Sequence, residues 1–192
     1  MVGLIYPAIL GTALYSFLDT LFAAALGGTE QQMVLKQQGP FGISVKVLLF
    51  LITLFFYCCD YVYTCWVQTY RVCYFLLDLI VISSLCVTMS SIKLSAATGP
   101  ALRTIAGCYF VIMVCYFIVD ILDLPPKRYN RYFRLISTWE ISGLVLMILF
   151  VSGCRYLHVR AMVQAYLLCG FLLVLTAWYI WLIHKKRELG AF

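Results

Sequence analysis

SVKVLLFLITLFFYCCDYVYTCW, residues 44–66, is long enough to cross a bilayer as one helix, yet it carries Asp60 six residues from its end. A crossing helix needs about 20 predominantly apolar residues. The stretch meets that length, and its reading decides what kind of fold the chain has.

The rest of the chain extends the pattern. Of 192 residues, 64% are apolar and only 11% charged, and the mean hydropathy is +0.97. A soluble domain draws about a quarter of its residues from the charged types. This chain has too few to cover a water-facing surface. The composition therefore predicts an all-α, polytopic transmembrane helical bundle, one integral membrane domain over 1–192 with no sizeable soluble part. Six apolar segments are expected, at about 4–26, 44–66, 72–92, 102–123, 135–154 and 161–183, of which four to six are true spans. The first holds Pro7, Gly11 and Asp19 and can instead be re-entrant or interfacial. Residues 27–43 read as a polar turn. The N-terminus MVGLIYPAILG lacks a basic leader region, so its apolar run is expected to be retained.

Basic residues give direction. With six spans, one face carries Arg71, Lys127, Arg128, Arg131, Arg134, Lys185, Lys186 and Arg187. The other carries Lys36, Lys46, Lys93, Arg103, Arg155 and Arg160, so that no basic residue is expected deep in a span. The more basic face is expected in the cytoplasm, with both termini there, in a bacterial inner or plasma membrane. The excess of positive charge is thus an orientation signal and implies no nucleic acid.

Asp60 is one of several acids in apolar surroundings: Asp19, Asp60, Asp78, Asp120, Asp123 and Glu140. A carboxylate in the hydrocarbon core costs at least a few kcal/mol, so each requires a reason. Asp60 lies about six residues before the end of its span and Asp78 about six after the start of the next. At 1.5 Å per residue both sit about 9 Å deep from one face. Asp120, Asp123 and Glu140 fall near that same face, so the acids form a layer. In one reading the layer is interfacial, with Arg71 reaching Asp60 or Asp78, and Arg131 and Arg134 reaching Asp120 or Glu140. In the other, the acids face a bundle interior or oligomer axis as a cation-attracting or proton-holding ring, with Asp19 as a station near the opposite leaflet. Tyrosine precedes aspartate by four residues in YSFLD (15–19), YFLLD (74–78) and YFIVD (116–120). That spacing predicts a hydrogen bond from each tyrosine to its own helix's carboxylate.

Catalytic motifs are absent: there is no G-x-S-x-G, H-E-x-x-H or P-loop. The nine cysteines are odd in number and contain no C-x-x-C, and the two histidines, His158 and His184, stand far from them. Neither a disulfide framework nor a metal centre is expected, and no cofactor is implied. Asp120 and Asp123 at helical i, i+3 spacing leave a small lipid-modifying enzyme as a remote alternative.

The expected role is a non-enzymatic, homo-oligomeric membrane sensor, anchor or regulatory subunit. Its partners are the bilayer, other copies of itself and a cytosolic protein at the basic face. Lys127, Arg128, Arg131, Arg134, Lys185, Lys186 and Arg187 would contact that partner or anionic lipid. Ala8, Gly11, Ala23, Ala24 and Ala25 would allow close contact between helices. In size and layout the chain loosely resembles membrane subunits encoded beside a cytosolic effector in bacterial phage-defence operons. The alternative is a small oligomeric cation channel or proton/cation transporter subunit.

Overall fold

The computed structural model describes residues 8, 10–12, 14–15, 17–19, 22, 29–66, 72–92, 98–122, 132–156 and 160–188. Side chains are described over 41–62, 75–92, 100–119, 122, 137–154 and 160–184, together with the described residues before 23. The five continuous helices are α1 (Thr29–Trp66), α2 (Val72–Ser91), α3 (Thr98–Leu122), α4 (Tyr132–Tyr156) and α5 (Ala161–Glu188). Among the described residues there is no strand. The described residues are all-helical, and no soluble domain is evident among them.

Four stretches are long and apolar enough to cross a membrane: Phe41–Val62, Pro100–Val119, Ser137–Cys154 and Ala161–His184. The described apolar part of α2, Phe75–Ser91, is shorter. Six segments were expected. Whether 4–26 crosses lies outside the described residues, although those described within it are helical.

Two expectations are corrected. Residues 29–43 belong to α1 and not to a turn. Polarity and the Gly39–Pro40 pair suggested a break, but TEQQMVLKQQ consists almost wholly of good helix formers. Pro40 removes one backbone donor without ending the helix, and the apolar part begins at the next residue. The second correction concerns Lys46, expected at the less basic membrane face and not deep in a span. It lies inside the Phe41–Val62 stretch and is 3% exposed. Its long stem lets it share a buried helix face with apolar neighbours.

Helix direction follows from side-chain register. Thr53 pairs with Tyr109, and Asp60 with Tyr116, each 56 positions apart. A constant offset requires α1 and α3 to run parallel. Gly143 of α4 meets Met113 and Leu175, while Trp139 meets Tyr116 and Tyr179. As the α4 number falls, its α3 and α5 partners rise, so α4 is antiparallel to both. α5 packs against α1, α3 and α4, and α3 packs against α2, α4 and α5.

Gly143 marks a close crossing of α4 with α3 and α5. A Cβ there would lie 3.0 Å from Met113 Sδ and 3.4 Å from Leu175 Cδ2. With lipid tails as solvent, helices associate through van der Waals packing, and a residue without a side chain permits the closest approach. Outward faces are mainly apolar, with Leu48, Leu51 and Phe55 on α1 and Leu173 and Val174 on α5 all exposed.

Candidate functional site: a buried carboxylate beneath one face

α1 carries buried polar residues at every seventh position: Lys46, Thr53 and Asp60. Seven residues are close to two helical turns, so the three project from one face at levels about 10 Å apart. α3 answers the upper two with Tyr109 and Tyr116. The Tyr109 hydroxyl donates to Thr53 Oγ1 at 3.4 Å, with both side chains fully buried.

Asp60 is 2% exposed. The Tyr116 hydroxyl donates to its Oδ1, and the Tyr179 hydroxyl approaches the same oxygen at 3.4 Å from α5. A buried carboxylate is an acceptor only, so phenolic donors suit it and offset part of its desolvation. The two tyrosines stack, with ring centroids 5.8 Å apart and 9° between planes. Trp139 of α4 stacks on Tyr179 at 5.1 Å and lies 6.1 Å from Tyr116. Its Nε1–H donates to the Leu175 carbonyl at 3.0 Å. Phe56 closes the group from α1, 5.3 Å from Tyr179 and 5.6 Å from Tyr109. Rings at these separations touch one another, so Asp60 faces an aromatic cluster drawn from α1, α3, α4 and α5.

The other predicted residues divide as follows. Glu140 follows Trp139 and is buried at the same level. Asp78 is half-buried on α2. Asp19 is exposed, as is Tyr15, so this pair is not the buried hydrogen-bonded pair expected of YSFLD. The Tyr116 hydroxyl donates across helices to Asp60, and the bond from Tyr116 to Asp120 expected of YFIVD lies outside the described residues. The side chain of Asp120 lies outside the described residues, as do Arg71, Asp123, Lys127, Arg128 and Arg131. Arg134 begins α4, and Lys185, Lys186 and Arg187 end α5, but their side chains also lie outside them. Of the small residues, Ala8 and Gly11 are exposed, and 23–25 are not described.

Sequence reasoning missed Tyr179 and Trp139 as neighbours of Asp60, and missed the Thr53–Tyr109 pair. One signal was present: polar residues at seven-residue spacing, 46–53–60 on α1 and 109–116 on α3. Two apolar helices with the same polar period are candidates to face each other.

Among the described residues no three His, Cys, Asp or Glu side chains lie together in a way that could hold a metal ion. The described cysteines at 58, 59, 86, 108, 115, 154 and 169 are free thiols. Comparison with protein-family models, curated proteins and solved structures finds no match to this chain.

Proposed function

We propose that the chain is a non-enzymatic integral membrane protein acting as a sensor or anchor for a cytosolic partner, which it engages through the basic segments at one face. One observation carries this reading. The C-terminal ends of the parallel helices α1 and α3, and that of α5, meet at Asp60. In sequence, Arg71 follows α1, Lys127, Arg128 and Arg131 follow α3, and Lys185–Arg187 lie in the last turn of α5. The cluster joins the three helices that lead, in sequence, to these basic residues. Such a face suits an acidic protein surface. We further propose that this face is cytoplasmic and that the chain works as a homo-oligomer.

The test is purification in gentle detergent from cells that express the chain at its native level, read by native mass spectrometry. The expected result is an oligomer of this chain with one soluble protein in fixed stoichiometry. Arg128→Ala/Arg131→Ala should lose that protein and keep the oligomer. A bare monomer, or a bound protein indifferent to the substitutions, would contradict the reading.

A second reading, a cation or proton pathway, draws support from the two buried acids Asp60 and Glu140 at one level. Phe56, Tyr109, Tyr116, Trp139 and Tyr179 occupy the described interior around Asp60. Such a pathway would therefore run between copies and not through one chain.

A further inference from the structure

We infer that Asp60, Tyr116 and Tyr179 form a proton-operated latch that couples the protonation of one carboxyl to the relative placement of α1, α3 and α5 at the basic face. The inference deepens the sensor reading by naming what is sensed; only the use made of the signal rests on that reading.

Both tyrosine hydroxyls point to one oxygen of Asp60, from two different helices. In the carboxylate form both donate, and bonds to an ionised acceptor are roughly twice as strong as neutral ones. On protonation the carboxylate takes up one proton, forms an O–H bond and becomes neutral, with no group leaving. The new O–H requires an acceptor of its own. Where a tyrosine oxygen supplies it, that tyrosine must turn from donor to acceptor. A tie made of two charge-assisted bonds becomes a weaker neutral one, and the helix ends it joins are freed to separate.

The surrounding ionisable groups come from every helix packed here. α1 supplies Tyr57, Cys58, Cys59 and Tyr61, and α2 supplies Asp78 and Cys86. α3 contributes Cys115 and Tyr116, α4 contributes Glu140 beside Trp139, and α5 contributes Tyr179. Asp60 accepts from Tyr116 of α3 and lies 3.4 Å from the Tyr179 hydroxyl of α5. Asp78 on α2 and Glu140 on α4 are further carboxyls whose own titration would add to the pH response, and the Asp60→Asn comparison separates their part from that of the tie.

Thermal unfolding of the full chain in phosphatidylcholine nanodiscs, followed from acid to neutral pH, tests this. Wild type should show a step in unfolding temperature. Asp60→Asn should lose that step and stay at the wild-type acid limit. Tyr116→Phe and Tyr179→Phe, which keep the ring packing, should each shrink it. Should Asp60→Asn fail to fold, the two phenylalanine variants carry the test. Hydrogen exchange at one fixed neutral pH gives a second readout, with faster exchange over 113–119 and 176–184 in the Tyr116→Phe/Tyr179→Phe double variant. A step that persists unchanged in Asp60→Asn, or in both phenylalanine variants, would overturn the latch. No partner enters these measurements, so the outcome is independent of the capture experiment.

Discussion

Trp139→Ala should lower the stability of the bundle by about 3 kcal/mol, the largest loss expected from any single truncation in the described core. Trp139 is 2% exposed. It joins α4 to α3 and α5 through rings at 6.1 and 5.1 Å and through the bond to the Leu175 carbonyl. Truncating a large buried aromatic costs about 3–5 kcal/mol in soluble proteins, through lost transfer energy and the cavity left behind. In a membrane the transfer contribution largely vanishes, because lipid is as apolar as the core. The cavity and the lost dispersion contacts remain, which places the estimate at the low end of that range. Trp139→Phe, which keeps a ring but not the N–H donor, should fall between. Denaturant unfolding of the purified chain in mixed micelles checks both. Equal stability of Trp139→Ala and wild type would mean that α4 does not dock as described.

Asp60→Leu is expected to be nearly as damaging, for a different reason. Leucine fits an apolar helix and removes a buried charge, so a simple count of polar burial predicts a gain. Yet it removes the carboxylate oxygen to which the Tyr116 and Tyr179 hydroxyls are directed. Each hydrogen bond lost from a charged group costs on the order of 1–3 kcal/mol. The triple variant Asp60→Leu/Tyr116→Phe/Tyr179→Phe removes donors and acceptor together and should recover most of the loss. A double-mutant-cycle analysis of unfolding energies measures this coupling. Additive effects would mean that the three side chains do not interact.

These two cases separate what the sequence reveals from what it conceals. Depth along a helix is arithmetic. Once the spans are marked, residue count alone puts Asp60 and Glu140 near one face, because each residue advances the helix by 1.5 Å. Rotation about the axis is not arithmetic in this chain. Every helix is apolar on its outer as well as its inner side, so no amphipathic stripe identifies the buried face. For that reason Tyr116 could be matched with Asp120 on its own helix, while the partner it meets, Asp60, is 56 positions away. Lys46 was misread through the same ambiguity. A basic residue near a span end ordinarily reaches for water, whereas here the register of α1 turns it inward beside Val45 and Leu49. For 29–40 the competing signals were composition and propensity, and propensity prevailed in the helix observed.

The claim on which the account turns is that the Asp60 cluster is a closed tie under a docking face and not a station on an ion path. Proton and cation flux through liposomes containing only the purified chain tests it most directly. The account predicts flux no greater than in protein-free vesicles, and no change on Asp60→Asn. Flux that wild type supports and Asp60→Asn abolishes would contradict it, and would make the buried carboxylates part of a conduit between copies.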